Sequence, residues 1–300
     1  MKTLLPEKYL QKWDLLRIDR SKLQEIRLRI GKPLFITYEG REVIWKKHDV
    51  EIIVEKHDLE RIFEWLCGYG VYAYQEELKK GYITIQGGHR IGVGGQVSYQ
   101  SNGNSIGMKY INSLLIRVSH DIVGVSNRVI DNLYYQGQPL SAMIISPPGC
   151  GKTTLLRDLV RAFSNGTQYG VGKNVSVIDE REELSAPFMG RATLDLGCRT
   201  DLILGCNKST GMEMCLRALG PEIVAVDEVY NDADIESIRR LKGSGCSILA
   251  TPHATDFVEF KRKPFGQVVL KERIFDKFLV LAKEEGKYII KNVLSCEDEE

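Results

Sequence analysis

The chain has 300 residues, with 41 lysines and arginines against 40 aspartates and glutamates, so its formal net charge is +1. Apolar residues at 43% and charged residues at 27% allow a sizeable core and exclude wholesale disorder, and the length fits one large domain or two ordinary ones. Balanced charge argues against a broad nucleic-acid-binding face, and no apolar run approaches the roughly 18 residues that span a bilayer.

Residues 1–121 read as a smaller α+β domain. Pro6 and Glu7 interrupt the start before a signal-peptide core can form, so a soluble, cytoplasmic protein is expected. An amphipathic helix over 7–16 comes first. Strands are expected over 25–30, 33–38 and 41–45, with Glu39 and Gly40 turning between the last two. The spacing of Leu59, Ile62, Phe63 and Leu66 predicts a helix over 58–66. Strands over 82–85 and 90–95 flank Gly87 and Gly88, a hairpin signal, and 114–118 is a further strand. No helix signal follows Gly92, Gly94 and Gly95, which rejects a dinucleotide-binding fingerprint.

From 122 to 300 the pattern alternates strand and helix. Short apolar runs at 142–145, 175–178, 223–226 and 247–250 fit buried parallel strands. Helical segments over 153–163, 211–219 and 234–241 lie between them. This texture implies a doubly wound α/β domain with a parallel-rich sheet and ligands at the strand C-termini. Residues 278–281 and 288–290 read as a closing hairpin, and the acidic end from Cys296 to Glu300 as a solvated tail. The seven cysteines, Cys67, Cys150, Cys198, Cys206, Cys215, Cys246 and Cys296, include no C-x-x-C pair, so reduced thiols are expected rather than disulfides or zinc.

The first of those strands runs into Ser146, Pro147, Pro148, Gly149, Cys150, Gly151, Lys152, Thr153 and Thr154, where a helix opens. This is a phosphate-cradling loop in its expected context. Its glycines let backbone N–H groups turn toward phosphate oxygens, and the new helix adds its positive end. Lys152 reaches the β- and γ-phosphates of ATP, and the Thr153 hydroxyl can sit on Mg²⁺. Ser146 stands where the pattern G-x-x-x-x-G-K-[ST] has its first glycine. About 75 residues on, a strand ends in Asp227 and Glu228. Asp227 would hold Mg²⁺, directly or through water, and Glu228 would deprotonate the attacking water. The adjacent glutamate favours hydrolysis over transfer to a second substrate. Two more strand ends carry polar groups: the run from Asp179 to Glu183, and Thr251, Pro252 and His253, with His253 placed to sense the γ-phosphate.

These four strand ends, in this order, resemble the ATPases of type II and type IV secretion, which carry a phosphate loop, an acidic box, an Asp-Glu strand and a His box. More specific segments resemble the stage III sporulation protein AA family within that superfamily. They are Gly81 to Ile85 with Gly87 to Gly92, Leu115 to Arg117, Arg199 to Leu202 with Gly205 and Cys206, Gly211 with Met212, and Pro221 with Glu222. The resemblance runs from Glu25 to the final hairpin and departs at Ser146 and at Ala254, where glycine is expected.

The resemblance implies a RecA-like P-loop ATPase domain using ATP and Mg²⁺. The acidic box maps onto Asp179, Glu180 and Glu183 and the His box onto His253, so that Glu180 joins Lys152, Glu228 and His253 as the catalytic set. It also implies a homo-oligomer, a hexamer in such enzymes, with nucleotide between the N-terminal and ATPase domains. Arg90 and Arg117 are the candidate cations from the N-terminal side and Arg199 the candidate within the ATPase domain. The implied role is an ATPase in the mother-cell cytoplasm, peripherally docked on a membrane protein of the channel that joins mother cell and forespore. Two other readings remain. A nucleic-acid-dependent ATPase is disfavoured by balanced charge, since Lys261, Arg262 and Lys263 form the single tight basic cluster and read as a solvated face. A non-hydrolytic, ATP-gated assembly scaffold is disfavoured by Glu228, which a pure switch does not need.

Overall fold

A computed structural model describes residues 4–99, 105–284 and 287–296. The acidic tail over 297–300 lies outside the described residues. The chain divides into two units, Met1–His120 with Ala186–Thr193, and Asp121–Ser185 with Leu194–Glu300. The excursion of residues 186–193 into the first unit departs from the single division drawn from the sequence. Its physical reason is local: Phe188 packs, partly buried, against the first unit's core.

The first unit contains α1 (Glu7–Lys12), β1 (Leu23–Arg29), β2 (Phe35–Tyr38), β3 (Arg41–Ile44), a small hairpin of β4 (Lys46–Lys47) and β5 (Val50–Glu51), α2 (Lys56–Leu66), α3 (Gln75–Lys79), β6 (Tyr82–Ile85), β7 (His89–Tyr99) and β8 (Ser105–Arg117). Its six-stranded sheet runs β3-β2-β1-β8-β7-β6, with every neighbouring pair antiparallel. The first helix stops short of the expected residue 16 because Asp14 takes a left-handed backbone, φ 52°, which helix cannot continue through. The turn between β6 and β7 needs positive φ, and Gly87 and Gly88 supply it at 92° and 70°. α2 buries Leu59, Ile62, Phe63 and Leu66 along one face into the same core as Ile26, Leu28, Ile91 and Ile116.

The second unit contains a short hairpin of β9 (Tyr134–Tyr135) and β10 (Gln138–Pro139), then β11 (Ala142–Ile145), α4 (Lys152–Asn165), β12 (Val175–Asp179), β13 (Thr200–Leu204), α5 (Lys208–Ala218), β14 (Ile223–Val229), α6 (Asp232–Gly243), β15 (Ser247–Pro252), α7 (Phe257–Arg262), α8 (Pro264–Lys271), β16 (Lys277–Glu284) and β17 (Lys287–Ser295). Its seven-stranded sheet runs β13-β12-β14-β15-β11-β16-β17, parallel throughout except for the closing β16–β17 hairpin. Successive strand residues face opposite sides, so Ile144 and Ala225 join a core with Leu156, Leu159 and Phe163 of α4, whereas Met143, Ile145, Val224 and Val226 join a second core with α5, α6, α7 and α8. Both faces are covered, which is why the strands read as continuous apolar runs. All seven cysteines are free. Among the described residues, no helix is long and apolar enough to cross a membrane.

Candidate nucleotide site

The loop after β11 is shaped by its small residues. Gly149 and Gly151 hold φ at 70° and 86°, backbone that a side chain would strain, and Gly151 is the residue from which α4 starts. A Cβ on Gly149 would meet nothing within 4 Å, so that face of the loop is open to a ligand. Ser146 is fully buried and its hydroxyl donates to the Pro147 carbonyl, so the position that usually holds glycine is filled without a polar orphan. Lys152 Nζ donates to the Ser146 carbonyl at 3.1 Å and so points back over the loop. The first turn of α4 leaves N–H groups without helical acceptors beside that ammonium, an arrangement suited to phosphate.

Thr153 and the end of β14 meet directly. Thr153 Oγ1 donates to Asp227 Oδ2 at 2.9 Å. The other carboxylate oxygen, Asp227 Oδ1, accepts from the Thr251 hydroxyl and from the Glu228 N–H at 3.0 Å. Thr251 Oγ1 also accepts from that N–H at 2.8 Å. The ladder between β14 and β15 shifts register here, and Glu228 sits at φ 55°. This is a sparsely populated conformation that persists only when surroundings over-determine it. Thr251 and Asp227 do so by gripping the Glu228 amide from two sides. Hard oxygens from Thr153 and Asp227 within hydrogen-bond reach of each other fit a small oxygen-seeking cation such as Mg²⁺.

The acidic run after β12 separates into distinct jobs. Asp179 is buried and accepts from the N–H groups of Glu183, Leu184 and Ser185 and from the Ser185 hydroxyl, so it braces its own turn. Glu180 Oε2 pairs with Lys208 at 2.7 Å. Arg157 of α4, also buried, donates to the carbonyls of Leu184 and Glu183 at 2.6 and 2.8 Å. Burial loosens its hold on its proton, opposed by the carboxylates of Asp121, Asp179 and Asp227. Arg181 reaches across to β14 and places Nη1 2.6 Å from Glu228 Oε2. The sequence offered a faint signal for it, one cation inside a run of acids at a strand end.

The other residues singled out from the sequence have contacts of their own. His253 is exposed at the end of β15, and its carbonyl accepts from Lys263, while Thr251 two residues earlier is the one that touches the Asp-Glu pair. Arg199 precedes β13 and donates to the Ser164 carbonyl at 3.0 Å, at the C-terminal end of α4. That end is about 20 Å from the phosphate loop at 1.5 Å per helical residue, so Arg199 does not belong to this site. Arg90 and Arg117 are cross-strand neighbours in the first unit. Arg90 lies 3.7 Å from the Tyr82 ring centroid and Arg117 lies 3.4 Å from Glu25.

A cavity of about 410 Å³ adjoins the loop, lined by Cys150, Gly151 and Thr154 together with Val125, Leu281 and Ile290 among others. Its apolar walls come from the closing hairpin and from the segment before β9. That segment is pinned where Asp158 of α4 accepts from the N–H groups of Gly124 and Ser126 at 3.0 and 2.7 Å. Sequence reading missed these walls, because distant segments create them and no local pattern marks them.

Strand order, loop and site together define the class. The chain resembles the structure of the Legionella pneumophila ATPase DotB with a TM-score of 0.63 at 14% identity, covering 98% of this chain and 81% of that one. It resembles the pilus retraction motor PilT, solved with bound ADP, with a TM-score of 0.56 at 13% identity, covering 96% and 84%. The fold is thus that of the RecA-like secretion ATPases. The family model for sporulation stage III, protein AA matches residues 5–298. Stage III sporulation protein AA of Bacillus subtilis (strain 168) is 32% identical over 286 residues, 95% of this chain and 89% of that protein. The chain belongs to the sporulation stage III protein AA family.

Proposed function

We propose that the chain is a Mg²⁺-dependent ATPase, converting ATP and water to ADP and phosphate. The observation that carries this reading is the bonded series from Thr153 through Asp227 and Thr251 to Glu228, set beside Lys152 at the start of α4. Lys152 would exchange the Ser146 carbonyl for β- and γ-phosphate oxygens, helped by the free N–H groups of the first helical turn. Thr153 and Asp227 would hold Mg²⁺. When bound there, the ion neutralises charge on the phosphates. Glu228 would take the proton of water as its oxygen bonds to the γ-phosphorus and the bond to the bridging oxygen breaks. The apolar cavity would receive the adenosine end, and His253 would respond to the γ-phosphate.

In the cell, family membership supports a role in sporulation. The proposal extends to a homo-hexamer on the mother-cell side, held by a membrane protein of the channel to the forespore and energising or assembling that channel. Family and fold support this extension.

The site itself is tested with three variants. Lys152→Ala should abolish nucleotide binding or hydrolysis. Glu228→Gln should retain MgATP binding and lose about 10²–10⁴-fold in turnover, the worth of a positioned general base. Asp227→Asn should weaken the Mg²⁺ dependence of binding. Turnover of Lys152→Ala within about twofold of wild type, against the large loss expected on removing the phosphate-loop cation, would sink the reading.

A further inference from the structure

Phosphoryl transfer from ATP commonly needs a second cation beside the phosphate-loop lysine, an arginine worth on the order of 10³–10⁵ in rate. The cations at the C-terminal edge of the second unit's sheet are unequally committed. Arg157 is buried and bound to two carbonyls. Lys208 is buried, paired with Glu180 and set 5.0 Å from the Tyr230 ring centroid. Lys263 pairs with Glu259 at 2.7 Å and donates to the His253 carbonyl.

Arg181 differs from all of these. Its side chain is 63% exposed and its guanidinium pairs with Glu228, the residue assigned as general base. Exposed pairs of this kind contribute little to stability and exchange readily. The turn that carries Arg181 is rooted: four donors fix Asp179 just before it, and Arg157 holds the carbonyls just after it. An exposed side chain on a fixed root is what a two-position group requires.

Resting on the ATPase reading above, we propose that Arg181 is the catalytic arginine of this site and is supplied by the same chain. Without a γ-phosphate it covers Glu228. With MgATP bound it moves to the γ-phosphate oxygens. A terminal phosphate carries more charge than a carboxylate, and its oxygens match the guanidinium fork. The move leaves Glu228 Oε2 free to accept the proton of the attacking water, so one displacement both uncovers the base and brings a cation to the developing charge. ADP lacks the γ-phosphate and leaves Glu228 covered.

The experiment uses the full chain with Arg181→Ala and Arg181→Lys, reading ADP affinity with a fluorescent ADP, affinity for ADP with aluminium fluoride, and ATP turnover. ADP affinity should stay within about twofold, because Arg181 faces no α- or β-phosphate in this assignment. Turnover and aluminium-fluoride affinity should fall together in Arg181→Ala, by about 10³-fold or more. Arg181→Lys should recover only part of the loss. Turnover of Arg181→Ala equal to or above that of wild type overturns the proposal, the latter marking a simple latch. An equal loss of ADP affinity overturns it too, by marking a structural residue. Wild-type chain that binds no fluorescent ADP would instead bring down the ATPase reading itself, and the proposal with it.

Discussion

His89 shows how a motif residue can be structural. It is 1% exposed, and its Nδ1 accepts the Ser119 N–H at 3.0 Å. The neutral ring must then carry its proton on Nε2, which faces Arg20 Nη2 at 3.1 Å, and a guanidinium can only donate. Burial first, then the Arg20 charge, holds the ring down to about 4. An unfolded histidine protonates near 6.5. The unfolded chain therefore binds a proton that the folded chain refuses, and stability present above about pH 6.5 drains away as pH falls toward 4. Denaturant midpoints measured from pH 7.5 to 4.5 should show this decline, and His89→Gln should flatten it. Parallel pH profiles for the two proteins would remove His89 as the cause. Asp179 carries a related lesson. It belongs to the acidic box, and four donors saturate it, so its charge is spent on holding a turn.

At the level of elements, α6 begins at once after the Asp-Glu strand, and its start is fixed by a capping box. Asn231 Oδ1 accepts from the Asp234 N–H at 2.8 Å, while Asp234 Oδ2 accepts from the N–H groups of Tyr230 and Asn231 at 3.0 and 3.4 Å. Asn231→Ala should cost about 1 kcal/mol, lowering Tm by about 2–4 °C in a unit of this size. An unchanged Tm would show that packing of Ile235 and Ile238 alone sets the helix. Legibility from sequence followed burial. β11, β12, β14 and β15 sit inside the sheet, covered on both faces, and declare themselves as apolar runs. β13 lies at the sheet edge with one neighbour and mixed exposure, so Arg199 to Leu202 drew notice only as a motif. α7 and α8 are short and break at Lys263, before Pro264 at the first position of the second helix. Their basic residues hid the buried Phe257, Phe260 and Phe265. Within the site, Lys152, Thr153, Asp227 and Glu228 were legible because phosphate chemistry dictates residue type and spacing. Arg181 was legible only faintly and the contact of Thr251 not at all, since both depend on which strands lie side by side.

At the level of the whole molecule, Arg181 in the same chain would give even a dilute protein a basal rate, and association into a ring would raise it. Turnover per chain should therefore climb with protein concentration, in step with oligomer mass measured by light scattering. A flat specific activity across a hundredfold range in which the oligomer forms would reject the coupling. The excursion of residues 186–193 has a consequence in time. A ribosome delivers the first 120 residues well before the eight that complete the first unit, and at ordinary elongation rates the interval from residue 120 to residue 193 is roughly 4–15 s. During that interval the nascent chain carries an unfinished N-terminal unit with the Phe188 contact still missing, while β11, α4 and β12 are already emerging. The first unit is thus complete only once residue 193 has been made, and a stop after residue 120 would release a first unit lacking its last segment.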